Sequence, residues 1–237
     1  MKGKIDEKSN VVVTVSSGKL ALAIGDKFII LDDPNESKYS ARLAAVKDKL
    51  SSIIGLDEVK DYLFRLEDNI KAQKMRERAG MKVAPLPLNM IFTGNPGTGK
   101  TTIARIVGEY LNALGMLEKG HFVEVSRVEL VGSHSGETAE KTRAKVSEAI
   151  GGVLFIDEAY SLLNSKVDDY GREALDTLVK LIEDNRENLV VILAGYIDEM
   201  EELLRRDVGL KSRFPNIINF RDYTADEMYQ IATSIAK

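Results

Sequence analysis

Apolar residues at three- and four-residue spacing, Leu43, Val46, Leu50 and then Val59, Leu63, Leu66 and Ile70, run among many charges from Lys38 to about Ala79. That period is the mark of amphipathic helix, and the break at Ile54-Gly55 divides it into two helices. Gly80 follows Arg76, Glu77 and Arg78 as a helix-ending glycine would, and Pro85-Leu86-Pro87 then reads as a short linker. Ahead of these helices lie three short apolar runs, Val11 to Val15, Leu20 to Ile24 and Phe28 to Leu31, parted by turn-rich stretches at Ser16 to Lys19 and Gly25 to Lys27. They predict a small β-meander. Fewer than about 40 residues rarely build a core of their own, so residues 1–40 are expected to pack on the main domain or on a partner, with residues 41–237 forming that domain.

Beyond the linker, strand-like and helix-like patterns alternate. Strands are predicted at Leu88 to Thr93, Phe122 to Val125, Val153 to Ile156, Leu189 to Ala194 and Ile217 to Phe220. Helices are predicted at Lys100 to Leu114, Thr138 to Ile150, Arg172 to Glu183 and Asp198 to Arg206, and Thr224 with Glu227 forms a capping box opening a last one. Runs such as Val153-Leu154-Phe155-Ile156 and Leu189 to Leu193 are apolar on both faces, as a parallel sheet covered by helices on each side demands. The prediction is therefore an α/β domain, a doubly wound parallel five-stranded sheet.

Composition narrows the function classes. A chain of 237 residues is long for one average domain and short for two. With 44% hydrophobic residues and only five prolines it is an ordinary globular chain. Lys+Arg 33 against Asp+Glu 37 leaves a net charge of −4, so the bulk charge points to no nucleic-acid partner. The absence of cysteine removes disulfides, thiolate nucleophiles and thiolate metal sites, and fits a reducing compartment. No apolar run follows the charges of Met1 to Lys8, so no signal peptide is expected, and no stretch reaches the roughly 18 apolar residues of a membrane span. The expected location is the cytoplasm, with no membrane partner.

The chemistry is carried by Gly94-Asn95-Pro96-Gly97-Thr98-Gly99-Lys100-Thr101-Thr102, a P-loop pattern between an apolar strand and a helix. Its glycines let successive N–H groups curl around phosphate oxygens at a helix N-terminus, where the dipole favours negative charge. Lys100 is placed to reach the β- and γ-phosphates, and the Thr101 hydroxyl to ligate Mg²⁺. Val153 to Ile156 ends in Asp157 and Glu158, 57 positions after Lys100. Asp157 suits the Mg²⁺ shell; Glu158 suits the orientation and deprotonation of a water for attack on a phosphate. A kinase can dispense with that glutamate because its nucleophile arrives on the substrate, so Glu158 favours ATP hydrolysis.

From about Ser51 to the end the chain resembles the AAA+ ATPases, a P-loop NTPase family, close to the group containing stage V sporulation protein K, the red-type Rubisco activase and the ATPase of type VII secretion. The likeness rests on Ile54-Gly55-Leu56, Thr93 to Thr102, Leu130-Val131-Gly132, Gly151 to Tyr160, Asp169-Tyr170-Gly171, Val191 to Tyr196 and Ser212-Arg213-Phe214. The resemblance implies ATP and Mg²⁺ as cofactors, a ring, usually a hexamer, with ATP between neighbouring subunits, and a chaperone-like action on a protein partner. It further implies that Arg213 is the arginine reaching a neighbour's γ-phosphate, that Tyr196 stands where a polar water-holding sensor is usual, and that Ile53, Ile54 and Gly55 pack on the adenine. Arg205 and Arg206 read instead as a solvated helix end.

Three departures accompany the likeness. Tyr196 replaces the usual Asn or Thr, and a buried aromatic is its other reading. In Gly132 to Gly136, which matches a central-pore loop, His134 stands where relatives carry an aromatic; an exposed loop without grip is the alternative. The chain also stops inside what would be the first helix of the C-terminal helical lid, Thr224 to Lys237, so the lid is expected to be largely absent and nucleotide affinity and ring assembly to be weakened. His121 opens an apolar strand without a second ligand near it in sequence and reads as structural. Two other functions remain open: an ATP-binding assembly module with little turnover, and a small-molecule kinase.

Overall fold

The computed structural model describes residues 11–16, 19–24, 27–30, 36–134, 136–163 and 169–236. Leu31, the turn residues 17–18 and 25–26, Ser135 of the Gly132 to Gly136 loop and the segment 1–10 lie outside the described residues. Strands β1 (Val11–Ser16), β2 (Lys19–Ile24) and β3 (Lys27–Ile30) form an antiparallel sheet in sequential order, with Val11 opposite Ile24 and Ala21 opposite Ile30.

The second sheet is made of β4 (Met90–Gly94), β5 (Phe122–Val125), β6 (Val153–Ile156), β7 (Val190–Gly195) and β8 (Asn216–Phe220), in the order β5-β6-β7-β4-β8 and parallel throughout. Parallel neighbours need crossover connections, which put helices on the faces. Helices α1 (Glu36–Ser51), α2 (Asp57–Arg78) and α3 (Lys100–Ala113) share one core with Met90 and Phe92, through Leu50, Leu63, Ile103 and Val107. Ile91 faces the other core, where α5 (Glu137–Ala149), α6 (Asp169–Asp184) and α7 (Ile197–Arg206) contribute Val146, Leu175, Leu178 and Met200. The period-2 alternation of strand side chains thus divides β4 between two layers. β4, β6 and β7 are buried along their whole length, whereas the edge strand β8 buries only Ile218 and Phe220.

Three short elements escape the sequence pattern: α4 (Arg127–Leu130), a 3₁₀ turn at Ala159–Leu163, and α8 (Val208–Arg213). Each is too short to show a helical period. β4 also starts at Met90 rather than Leu88, because the side chain of Asn89 intervenes in the ladder. Its Oδ1 accepts from Val191 N at 2.9 Å, while Asn216 Nδ2 donates to the Pro87 and Asn89 carbonyls at 2.7 and 2.9 Å. The capping box on α9 (Ala225–Ile235) is present, with Thr224 N donating to Glu227 Oε2 at 2.8 Å.

Between the helices of the first layer lies a buried carboxylate, Glu67, only 2% exposed. It accepts from Lys71 Nζ at 2.6 Å, from Lys47 Nζ at 3.0 Å and from the Tyr110 hydroxyl. Burial alone would raise its pKa, but the hydrogen bonds from Lys71, Tyr110 and Lys47 outweigh burial and hold it at about 2. A charge can be buried here because it is paired and hydrogen-bonded from α1, α2 and α3 together.

Candidate active site

The loop between β4 and α3 is built on backbone that a side chain would spoil. Gly94 has φ 145°, and a Cβ there would stand 2.3 Å from the Phe220 carbonyl oxygen of β8. Gly99 has φ 93° at the N-cap of α3, with the Tyr223 hydroxyl 3.1 Å and Leu56 Cδ1 3.4 Å from the place of its missing Cβ. Gly97, by contrast, faces open space. Thr98 is buried, and its hydroxyl donates to the Asn95 carbonyl at 2.8 Å, closing the loop on itself. Asn95 Nδ2 reaches both carboxylate oxygens of Asp222 at 3.0 Å and so ties the loop to the segment before α9.

Lys100 Nζ donates to the carbonyls of Gly94 and Asn95, at 2.7 and 2.8 Å. Burial pulls the Lys100 pKa below its ordinary value, and the nearby Asp157 carboxylate partly opposes that. The ammonium is thus stripped of part of its water at a helix N-terminus and bonded to neutral oxygens, a setting that favours an arriving anion.

A cavity of about 360 Å³ opens at this end of the sheet. Gly94, Pro96, Gly97, Gly99, Lys100, Thr101 and Thr102 line it from the loop and α3. Asp157 and Glu158 line it from the end of β6, and Gly195 and Tyr196 from the end of β7. It lies where β4 is followed by β5 beyond β7 and β6, while β8 closes the other side, the crevice at strand carboxyl ends where α/β sheets bind ligands. Asp157 Oδ1 accepts from Glu158 N at 3.0 Å. Glu158 has φ 47°, a left-handed conformation that costs a non-glycine residue about 1–2 kcal/mol and is tolerated mostly at functional sites.

Tyr160 also lines the cavity, a residue to which the sequence reading gives no role. Its ring centroid is 5.9 Å from that of Tyr196, and a Cβ on Gly195 would meet its Cδ1 at 2.7 Å. Burial, reinforced by Glu158, pushes the Tyr160 phenol up to about 12, so it remains a donor at neutral pH. The signal in the sequence was an aromatic two positions after the paired carboxylates.

Of the other residues singled out in the sequence, Asn95 and Thr98 support the loop from outside the cavity wall, and Ile54 and Gly55 do not line the cavity either. Gly55 backs onto Glu227 and Tyr223, and it is the next residue, Leu56, that approaches Gly99. Arg213 is set apart. Its carbonyl accepts from Asn89 Nδ2 at 3.3 Å, and Asn89 precedes Gly94 by five residues of strand, roughly 17 Å at 3.3 Å per residue. His121 Nε2 is 2.7 Å from the Glu148 carbonyl, and its ring packs on Gly152, in keeping with a structural role. His134 is exposed, and its backbone N–H and that of Ser133 donate to Glu137 Oε2 at 3.3 and 3.0 Å. Arg206 is paired with Glu202 at 2.8 Å and Arg205 with the same carboxylate at 3.0 Å, as a solvated helix end would be. Among the described residues no group of three or more histidines and carboxylates is placed to hold a metal, and no helix is long and apolar enough to cross a membrane.

Known proteins resemble this chain in sequence and fold. Stage V sporulation protein K of Bacillus subtilis (strain 168) is 43% identical over 198 residues, 84% of this chain and 61% of that protein. Protein CbbX of Cereibacter sphaeroides is 45% identical over 181 residues, 76% of this chain and 59% of that protein. The ESX-3 secretion system protein EccA3 of Mycobacterium leprae (strain TN) is 40% identical over 208 residues, 87% of this chain but 32% of that protein. The chain therefore spans at most about three fifths of these relatives' own length. Among solved structures, the FIGL-1 AAA domain in complex with ADP matches with a TM-score of 0.56 and 26% identity, over 77% of this chain and 59% of that one. The family model described as "ATPase family associated with various cellular activities (AAA)" matches residues 90–222, more than half of the chain and the whole span from the first strand of the parallel sheet to the segment before α9. With loop, carboxylates and sheet order in agreement with that match, the chain belongs to the AAA family of ATPases.

Proposed function

We propose that this chain hydrolyses ATP to ADP and phosphate within a ring of like subunits in the cytoplasm, usually six in relatives, and uses the reaction to remodel a protein partner. The observation that carries the reading is one cavity gathering Lys100, Asp157 and Glu158 at the end of the sheet opposite Arg213. ATP fits the cradle because Gly97 leaves open space beside a partly dehydrated ammonium. Mg²⁺ fits the Thr101 hydroxyl and the Asp157 carboxylate, hard oxygen donors that need only a nucleotide's phosphates to complete them. When bound, the ion would neutralise charge on the phosphate oxygens.

The chain's own residues then divide the work. The loop N–H groups and Lys100 hold the phosphates, while Glu158 orients a water and takes its proton. Tyr196, beside the protonated Tyr160, offers a hydroxyl at the position of a water-holding sensor. Arg213, remote from its own cavity, serves the cavity of the next subunit, where its guanidinium neutralises charge on the transferring phosphoryl group. A remodelling role draws support from the family and from relatives whose names place them in sporulation and secretion. Tyr196 and His134, each standing where the family usually carries a different residue, favour one rival, a nucleotide-binding assembly module with little turnover.

Replacing Glu158→Gln tests the reading. Nucleotide binding should persist while turnover falls about 10²- to 10⁴-fold, the usual contribution of a general base. Unchanged turnover in that variant overturns the assignment; an assembled wild-type ring that binds ATP with Mg²⁺ and partner yet never turns over supports the rival.

A further inference from the structure

The guanidinium of Arg213 is held by its own subunit in an unequal way. Nη1 donates to the Gly209 carbonyl at 3.1 Å and lies 3.4 Å from Ser212 Oγ. Nε is buried without a hydrogen-bond partner among the described residues. The Glu183 carboxylate of α6 stands 3.9 Å from that Nε, close enough for charge attraction and too far for a hydrogen bond. The other oxygen of the same carboxylate is engaged at 2.6 Å by Arg186. The main chain is fixed separately by Asn89, only 9% exposed, whose amide spans the Arg213 carbonyl and Val191 N. A cavity of about 200 Å³ opens beside them.

A merely solvated arginine gains little from such support, since an exposed ion pair orders a long side chain for a small return. Here the main chain is anchored by a buried amide, and the charge is steered by a carboxylate that leaves the Nε donor unsatisfied. Such a guanidinium keeps its direction, and with the Arg213 side chain 30% exposed its Nη groups, rather than the buried Nε, keep hydrogen-bonding capacity for a phosphate. We propose that Glu183 is a positioning residue for Arg213, holding its guanidinium in the pose used across the subunit boundary. This rests on the reading of Arg213 given above and adds the group that aims it. Without the charge on Glu183, the guanidinium groups of Arg186 and Arg213 lose their shared counter-charge and repel each other, and the finger loses its aim.

The experiment uses the full chain assembled with ATP and Mg²⁺. Glu183→Gln should lower turnover about five-fold, with nucleotide affinity and melting temperature unchanged, the scale of a partly exposed ion pair. Glu183→Gln subunits are then mixed with Lys100→Ala subunits. The first kind brings a sound cavity and a misaimed arginine, the second a dead cavity and a sound arginine, so turnover per Glu183→Gln subunit should climb back toward the wild-type value. A defect confined to packing within the Glu183→Gln subunit would not be rescued in this way. Wild-type turnover in Glu183→Gln alone, or a defect that persists in the mixture, overturns the proposal. Arg213→Ala in the same assay separates the two levels of inference: full turnover there removes the finger itself, whereas loss there with an unaffected Glu183→Gln removes only the role of Glu183.

Discussion

The two ends of the parallel sheet are built on opposite rules. At the carboxyl end, Gly94 and Glu158 hold left-handed backbone around an open cavity, and Lys100 is bonded to neutral carbonyls. At the amino end, Asn89 and Asn216 spend their amides on main-chain groups. On the α3 side, Tyr110, about 15 Å along the helix from Lys100 at 1.5 Å per residue, is fastened to the buried Glu67. The contrast teaches that strained backbone is gathered around the open cavity, while the far end is stitched by side-chain amides that hold the strained end in shape. It also splits the proposed chemistry, since the arginine belongs to the stitched end.

The widest break in this picture comes from Arg213→Ala. Turnover should fall about 10³-fold or more, the lower bound for arginine fingers in related chemistry, with nucleotide binding to the subunit intact. Mixing with Lys100→Ala subunits should recover part of the loss; no recovery would place the arginine's action within one subunit, against its location. Next, Gly94→Ala forces a Cβ against the Phe220 carbonyl and should destabilise the fold by about 3 kcal/mol, read by chemical denaturation. A melting curve like that of the parent would mean the loop is less constrained than its backbone implies.

The smallest effect concerns the stitched end. The Glu67 pKa is lowered from 4.5 to about 2 in the folded chain, so its stabilisation is whole above pH 4.5 and is lost as pH falls toward 2. Glu67→Gln should therefore cost about 2–3 kcal/mol at pH 7, and the two proteins should converge in stability as the medium is acidified. A gap that stays constant with pH would show that the carboxylate charge contributes nothing to the fold.

Much of this was legible in the residues. The five strands and the long helices follow from apolar period, and the loop and paired carboxylates follow from motif and spacing. The short elements were not. α8 depends on Asp207 Oδ1 accepting from Leu210 N at 3.0 Å, a local contact with no period to betray it. α4 did carry a readable signal, Ser126 with Glu129 three positions on, whose carboxylate accepts from Ser126 N at 2.8 Å. The role of Asn89 could not be read at all, because a side chain that stands in for a ladder group looks in sequence like an ordinary polar residue within the predicted strand Leu88 to Thr93. Tyr160 was hidden in a different way: its place in the cavity depends on Gly195, 35 positions later, leaving room for its ring.

The distance between Arg213 and its own cavity has a consequence for counting. If each subunit completes only its neighbour's site, an open file of subunits always has one complete cavity fewer than it has members, and a lone subunit has none. Closing the file adds the last one. Specific turnover should then climb with protein concentration and level off only when the files close on themselves, so that the rate curve itself becomes a census of assembly.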